Sequence, residues 1–396
     1  MKKKLLALAV AGAFVAPVAM ADNVAIYGVM NGSVDNVSVG KSGTNINTTK
    51  VSSHESHIGF KGSEDLGNGT SGVFQIESQI ELDNTNSAGA SGGYSGNTGF
   101  AGRNTFVGLS GSGWGSLLLG TNDTPYKASS RKTDLFDSTI ADNRSLMGGV
   151  GTGNPNSALG FDRRANNSVT YNSPDLSGLK LAVQYQAGAE LASAAGNSKG
   201  SAWSLAANYA TGPISALVAY ETHDIGTAGT GDMGAIAAPV ALLNKKESSY
   251  KFGAGYGVDQ FAVNLVYEKN QDSFIAGTPD TDLYGHKSYY VSGRYNVSGS
   301  DAVKLAYTHA GSQTKGGVAA AAANTGAKQI SVGYDHGMGK RTTVYALWTK
   351  LTNEANANYG LSSADVSTSA TAGTNTVAPL VDSSISAVSV GIKHTF

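Results

Sequence analysis

The chain has 396 residues, a formal net charge of −1 and no cysteine. Without cysteine there are no disulfides, thiolate nucleophiles or cysteine-ligated metals. The near balance of charge leaves no basic stripe for a phosphate backbone, so we expect no nucleic-acid partner. A mean hydropathy of -0.15 does not exclude a membrane protein, because a transmembrane strand needs only about 9 to 11 residues, of which alternate ones are apolar.

The amino terminus has the layout of a secretory signal peptide. Three lysines follow the initiating methionine, and an apolar run then leads to the small-residue sequence Ala19-Met20-Ala21. We expect cleavage after this sequence, which makes residues 1–21 the signal peptide and residues 22–396 the mature barrel domain. The apolar run is too short for a membrane anchor, which needs roughly 20 residues.

Period-two alternation recurs along the mature chain, without helical periodicity. In residues 72–82, Phe74 and Ile76 share one parity while Gln75 and Glu77 share the other. Such a strand has one apolar and one polar face. The apolar face points inward in a soluble sandwich and toward lipid in a transmembrane barrel, so one strand does not separate the two.

The later strands favour the barrel. Tyrosines recur near the ends of their apolar faces, as at Tyr209, Tyr256, Tyr267 and Tyr307. Aromatic rings prefer the bilayer interface, while the small aliphatic side chains between them face hydrocarbon. The core of a sandwich has no reason to adopt this distribution.

The alternating segments number about sixteen, and an even number is usual for single-chain bacterial barrels. They start near residues 24, 55, 70, 103, 114, 165, 179, 201, 214, 248, 260, 288, 301, 328, 342 and 384. Tight glycine-rich turns alternate with long loops at residues 186–200, 222–247, 270–287, 311–327 and 353–383, and residues 362–378 fit a disordered segment equally well. The predicted fold is all-β, a 16-stranded antiparallel transmembrane β-barrel with short turns on the periplasmic side.

Five segments spread along the mature chain carry a family pattern. They are residues 24–28 (VAIYG), 56–69 (SHIGFKGSEDLGNG), 106–109 (FVGL), 167–179 (NSVTYNSPDLSGL) and 390–396 (VGIKHTF). Together they resemble the Gram-negative general porins of the neisserial and related β-proteobacterial type. The resemblance implies an outer-membrane channel for passive diffusion of ions and small hydrophilic solutes, assembled as a homotrimer and without a cofactor.

The resemblance also implies partners and landmarks. Expected partners are outer-membrane lipid, lipopolysaccharide and the barrel assembly machinery, for which Phe396 resembles the carboxy-terminal assembly signal. The long segment at residues 122–162 corresponds to the third loop, which folds into the lumen and narrows the pore. It is too long for an ordinary connection.

In this family, acidic groups on the third loop face basic groups on the barrel wall. Asp134 and Asp137 match the acidic part of that loop. The predicted constriction residues are Asp123, Arg131, Asp134, Asp137 and Arg144, and the predicted wall residues are His57, Lys61, Arg164, Lys180 and Arg294. For each wall charge, the alternative is a solvated lumen group away from the constriction. His57, Leu118 and Thr121 stand where basic residues are common in the family, so we do not expect strong anion selectivity.

Other functional classes find little support in the sequence. It has no nucleophile elbow, phosphate-binding loop or zinc-binding helix motif, so we expect no enzyme. His54 and His57 point to opposite faces of a strand, which argues against a shared metal. A barrel serving mainly as an adhesin or surface-binding protein is the main alternative, and a soluble β-rich lectin is the other. Conductance tests the first and solubility without detergent the second.

Overall fold

The computed structural model describes residues 23–41, 44–82, 100–148, 160–188, 200–226, 245–273, 282–314, 323–361 and 381–396. The expected signal peptide and residues 362–378 lie outside these ranges. The strands are β1 Asn23–Lys41, β2 Thr44–Ser53, β3 His57–Asp65, β4 Thr70–Gln79, β5 Thr105–Gly111, β6 Gly115–Asp123, β7 Arg164–Asn172, β8 Leu179–Ala187, β9 Ser201–Thr211, β10 Ile214–Asp224, β11 Lys246–Gly257, β12 Phe261–Asp272, β13 His286–Asn296, β14 Asp301–Ala310, β15 Ala327–Gly337, β16 Thr342–Asn353 and β17 Ser384–Thr395. A short helix, α1, spans Pro125–Ser130, and 3₁₀ turns span Arg131–Thr133 and Asn143–Ser145. In the described residues, no helix has the length and apolar character needed to cross a membrane.

The sheet closes on itself. β1 pairs with β17 in an antiparallel register that runs from Val29↔Thr395 to Gly40↔Ser384. The first part of β1, from Asn23 to Val29, pairs with β3, and its second part, from Gly32 to Lys41, pairs with β2. β2 and β3 are therefore two parts of one barrel strand, interrupted at residues 54–56, and the 17 segments form a closed 16-stranded barrel. This confirms the predicted fold.

One strand boundary differs from the sequence-based expectation. The sequence predicts a second barrel strand that starts near residue 55, but the strand begins at Thr44. Its first half carries Asn45, Asn47 and Thr49 on the exposed parity, so the apolar alternation that marks other strands is missing there. Backbone pairing with β1 defines this half-strand instead.

Short turns and long connections lie on opposite rims. Turns at residues 66–69, 112–114, 173–178, 212–213, 258–260, 297–300 and 338–341 join strands on the rim that also holds Asn23 and Phe396. Gly67, Asn68 and Gly69 have φ of 83°, 54° and 72°, a left-handed path that glycine adopts at little cost. By the rule for such barrels, this rim faces the periplasm.

The two faces of the strands follow the predicted parity. Phe252, Val263, Leu305 and Val390 expose 48, 48, 53 and 55% of their surface on the outer face. The intervening residues point into the barrel and are mostly polar. Because the apolar face is the exposed one, the strands suit contact with lipid and not a sandwich core.

An apolar cluster nevertheless lies inside the barrel. Phe136 and Ile140 of the segment that follows β6 are fully buried in one cluster with Val37, Leu351 and Ile385. Those last three residues come from the inward parity of β1, β16 and β17, next to the long-connection rim. The inner face is therefore apolar on one side, and this is where the third loop packs.

Candidate functional site: a pore narrowed by the third loop

The third loop leaves β6 and enters the lumen through α1. Thr124 caps the helix by accepting a hydrogen bond from the backbone N–H of Lys127 at 3.2 Å, and Pro125 occupies its first turn. The buried Tyr126 donates its hydroxyl hydrogen to Glu268 on β12 at 2.8 Å, and its backbone N–H binds Ser204 on β9 at 2.9 Å. The helix is thereby fixed to the wall at strands far from β6.

A buried cation holds the two ends of the loop together. Lys251 on β11 pairs with Asp162, lies 3.6 Å from Glu268 and sits 4.1 Å from the centre of the Tyr126 ring. Glu268 also accepts the backbone N–H of Gly148 at 2.9 Å. The entry and return of the loop thus bind the same charged cluster.

The middle of the loop packs on the opposite wall. Phe136 is buried with its ring edge against Gly333, where an added Cβ would lie 2.8 Å from ring atom Cε1. Lys304 on β14 donates to the Leu135 carbonyl at 2.9 Å and lies 4.9 Å from the Phe136 ring centre. Tyr290 on β13 donates to Asp134 at 2.9 Å.

The tip of the loop reaches the first two strands. Asn31 on β1 donates to the Ser138 carbonyl at 2.8 Å. Glu55 lies in the break between β2 and β3 with a φ of 54°, and one of its oxygens accepts from Arg144 of the loop at 2.5 Å. The strand break therefore supplies the carboxylate that binds the loop tip.

The loop carries its own alternating charges. Arg131 donates two hydrogen bonds to Asp142, at 3.1 and 2.6 Å, and also pairs with the half-exposed Asp137. Arg144 lies 2.9 Å from the same Asp142 carboxylate and continues the chain to Glu55. Acid and base therefore alternate along the edge of the loop that approaches the wall.

The facing wall repeats the pattern. Arg103 pairs with Glu77 at 2.5 Å and approaches Glu55 at 4.0 Å. Glu77 also accepts the hydroxyl of Tyr27 at 3.0 Å and lies 3.8 Å from His57. The wall next to the loop tip is thus a chain of paired charges and not a purely basic surface.

A second group of charges lies where the loop leaves the wall. Asp123 pairs with Lys127 at 2.8 Å and with Arg164 at 3.2 Å. Asn104 accepts from Arg164 at 2.9 Å. This group joins β6, β7 and α1.

The structure brings together Asp123, Arg131, Asp137, Arg144, His57 and Arg164, six of the predicted site residues, around the loop and the wall facing it. Asp137 has 37% of its side chain exposed, whereas the Asp134 side chain is fully enclosed and accepts backbone N–H groups of Phe136 and Asn143. Asp134 therefore stabilises the path of the loop through its hydrogen bonds, whereas the side chain of Asp137 is exposed to the lumen.

The remaining predicted wall residues lie away from the loop. Lys61 is exposed and 4.9 Å from the Tyr27 ring centre. Lys180 is exposed at the start of β8 and lies 3.6 Å from Asp175 of the adjoining turn. Arg294 is exposed two residues before the end of β13 and binds Asn296. All three are on the half of the lumen nearer the short turns.

Sequence reasoning missed Glu55, Glu77 and Arg103. The alternation places Glu77 on the polar face of β4, but no local feature of the sequence indicates its partner. Arg103 precedes β5, and Glu55 interrupts a strand, so neither follows the alternation. The break that holds Glu55 is recognised only from the backbone pairing of β1 with β2 and β3, so no local sequence signal marked this residue.

Enclosure changes the acidity of Asp134. Burial and the nearby Asp142 carboxylate raise the pKa of Asp134 to about 6, against the opposing effect of Arg131. Two backbone N–H groups stabilise its ionised form, yet they do not outweigh burial.

The closed barrel with an outward apolar face and an inserted loop defines the protein as a transmembrane channel of the porin class. The sequence profile of the family described as "Gram-negative porin" matches residues 7–356. The chain belongs to the Gram-negative porin family, and its location is the bacterial outer membrane.

Relatives and solved structures agree with this family. The chain is 26% identical to the "Major outer membrane protein P.IB" of Neisseria gonorrhoeae, with 87% of this chain and 91% of the relative covered. It is 27% identical to the "Outer membrane porin protein 32" of Delftia acidovorans over the full length of both. Among solved structures, "Anion-selective porin from Comamonas acidovorans" superposes with a TM-score of 0.71 at 23% identity, covering 94% of this chain and 99% of that one. The trimer form of OmpT from Vibrio cholerae gives a TM-score of 0.60 at 14% identity, with 94 and 99% covered. These likenesses to solved structures show the fold.

Proposed function

We propose that this protein is a general diffusion channel for ions and small hydrophilic solutes. The observation that carries the proposal is the position of the third loop, which packs on β9–β17 and on β1. This position leaves Asp137 and Lys61 exposed inside the barrel. A lumen lined by water and charged side chains lowers the cost of moving a polar solute across hydrocarbon. The comparisons give no support to the alternative, a barrel serving mainly as an adhesin.

We further propose that the constriction discriminates weakly between anions and cations. Its acids and bases are interleaved, with Arg131, Arg144 and Arg103 each bound to a carboxylate. Opposite charges at such short range cancel much of each other's field at the centre of the passage. The predicted wall residues Lys61 and Arg294 add positive potential toward the short-turn mouth.

Planar-bilayer conductance with a reversal potential in a salt gradient tests both statements. We expect stable current steps that grow with salt concentration and a small reversal potential. The reversal potential should shrink further in molar salt, because the Debye length falls from about 30 Å at 0.01 M to about 3 Å at 1 M. A folded protein that passes no current would contradict the channel and support the adhesin.

The assembly of the protein is proposed from its family. We propose a homotrimer, in accord with the trimer form among the solved relatives, that contacts outer-membrane lipid and lipopolysaccharide. We also propose that Phe396 is the signal read by the barrel assembly machinery. Its backbone exchanges two 3.1 Å hydrogen bonds with Gly28, and its ring lies over that glycine, where a Cβ would be 2.5 Å from Cζ.

We also propose a cleavage site and the absence of catalysis. Residues 1–21 would be removed as a signal peptide, and mass spectrometry of the secreted chain would identify the new amino terminus. Members of this family are channels, and we propose that this chain has no catalytic activity.

A further inference from the structure

An apolar patch lies on the lumen wall formed by β4, β5 and β6. Its members are Val73 on β4, Phe106 on β5 and Leu118 on β6. They stand on the inward parity of their strands, whereas Val107, next to Phe106, is 60% exposed on the outer face. We propose that this patch and the nearby Lys61 form a binding site for small aromatic carboxylates inside the pore. This inference rests on the proposed channel function.

A glycine brings the three apolar side chains together. Gly108 lies directly opposite both Val73 and Leu118, and a Cβ on it would be 2.8 Å from Leu118 Cδ2. The Leu118 side chain therefore lies flat over Gly108 and is only 9% exposed. Phe106 is two residues from Gly108 on the same face, and diagonal neighbours of this kind lie about 7–8 Å apart. The patch is therefore a continuous apolar surface.

The third loop does not cover this surface. In the described residues, the loop packs in two apolar clusters, one around Phe136 and one around Tyr126, and neither contains a member of the patch. Phe106 accordingly stays partly exposed in the lumen. Removing apolar surface from water is favourable, so a solute with an apolar face gains by contact with this ring.

Lys61 places a positive charge beside the patch. It lies directly opposite Gln75 on β4, and Gln75 lies directly opposite Phe106 on β5. Two strand spacings, about 10 Å, therefore separate the backbones of Lys61 and Phe106. The ammonium group lies 4.9 Å from the centre of the Tyr27 ring. Such a contact is weak at an exposed site, so the long side chain can turn toward a carboxylate held next to Phe106.

The charge of Lys61 is available to a ligand. Glu77 stands on the same inward face of β4, but it pairs with Arg103 at 2.5 Å. Within the described residues, no carboxylate lies at ion-pair distance from Lys61. One exposed ion pair and one ring contact give weak binding. Weak binding suits a channel, because a solute that binds too tightly does not leave.

The surroundings of the patch favour an aromatic carboxylate over a sugar or an aliphatic anion. A sugar needs free hydrogen-bonding groups, but Gln184 donates to Thr170 at 2.9 Å and Gln75 donates to the Asn104 carbonyl at 3.2 Å. An aliphatic anion uses the cation alone. An aromatic ring also packs on the patch, in the offset or edge-to-face geometry that ring pairs favour.

The test compares 4-fluorobenzoate with fluoroacetate as blockers of potassium chloride current through the full-length protein in planar bilayers. We expect 4-fluorobenzoate to halve the current at an about tenfold lower concentration than fluoroacetate does. Phe106→Ser should erase this preference, whereas Phe106→Tyr keeps the ring and should retain it. Lys61→Gln should raise the half-blocking concentration of both anions. Lys180→Gln is the matched control, because it removes an exposed lysine at the start of β8, away from the patch.

Three results would overturn the proposal. They are equal half-blocking concentrations of the two anions in the wild type, a preference that survives Phe106→Ser, and equal effects of Lys61→Gln and Lys180→Gln. Fluorine NMR of both probes with the protein in detergent measures binding without any need for current, and the same three results count against the site there. Current steps without added probe test the channel function, so its failure is distinguishable from failure of this site.

Discussion

Arg131 and Arg144 hold one carboxylate between them, since Asp142 accepts from Arg131 at 2.6 Å and from Arg144 at 2.9 Å. Asp142 is fully buried. We expect Asp142→Asn to leave two cations without their shared partner. Arg131 keeps Asp137 and Arg144 keeps Glu55 as a second carboxylate, so the cost should be smaller than the about 3–5 kcal/mol of a buried charge that loses its only partner. The loop should still loosen, and single-channel records should show more frequent current fluctuations. Asp175→Asn on the short-turn rim is the control, and quiet records from Asp142→Asn would contradict the assigned role.

Single replacements of Asp137 and Asp134 should change the reversal potential by different amounts. Asp137 is half-exposed to the lumen and Asp134 is enclosed, so Asp137→Asn should shift the reversal potential toward anion preference at low salt. Conductance in molar salt should stay nearly constant, because volume hardly changes and charge is screened. Asp134→Asn should have a smaller direct effect on the reversal potential. If Asp137→Asn matched the wild type at low salt, this carboxylate would lie outside the ion path.

The contact between Phe136 and Gly333 should set the width of the passage. Gly333→Ala would place a methyl group 2.8 Å from the Phe136 ring, which forces the ring and its loop away from β15. We expect altered conductance in molar salt, where charge effects are screened. Gly293→Ala is the matched control, because its Cβ has no neighbour closer than 3.9 Å. Identical conductance in both variants would place the constriction elsewhere.

The pKa of Asp134 predicts a pH dependence. Its ordinary pKa is about 3.9, and burial with Asp142 raises it to about 6. The folded loop therefore favours the protonated form, and its stability contribution is complete below the ordinary pKa and lost as pH rises through about 6. A shift of this size corresponds to about 3 kcal/mol.

The measurement is the midpoint of heat-induced barrel unfolding between pH 4.5 and 7.5. We expect the wild-type midpoint to contain a component that falls with rising pH. Asp134→Asn should lack that component, and comparison of the two removes the contribution of histidines that titrate in the same range. Parallel curves for wild type and variant would contradict the assignment.

Much of the fold could be predicted because most barrel strands show period-two alternation in their own sequence. Phe74 and Ile76 against Gln75 and Glu77 identify two faces without knowledge of any partner strand. The same logic missed the first half of the second barrel strand, where Asn45 and Asn47 occupy the outer parity. The alternation also failed to predict the apolar inner face of β16. Leu347 points inward and Trp348 outward, so both faces of this strand are apolar and the pattern does not show which one lines the lumen.

The site was predictable only in part because its contacts are long-range. The loop position and the importance of its charges follow from length and resemblance. The partners of those charges do not, since Arg144 binds Glu55 from 89 positions away and Asp134 binds Tyr290 across 156. Burial separates Asp134 from Asp137, and burial depends on the folded path of the whole loop.

The apolar cluster inside the barrel links the position of the third loop to the pairing of β1 with β17, which closes the barrel. Its members Val37 on β1 and Ile385 on β17 lie on the two strands that form the seam, and Phe136 and Ile140 of the loop complete the same cluster. The loop therefore buries part of its apolar surface against strands that become neighbours only when the chain ends meet. Packing of the loop and pairing of β1 with β17 are therefore cooperative. A barrel in which these two strands are not paired lacks part of the apolar surface against which the third loop packs.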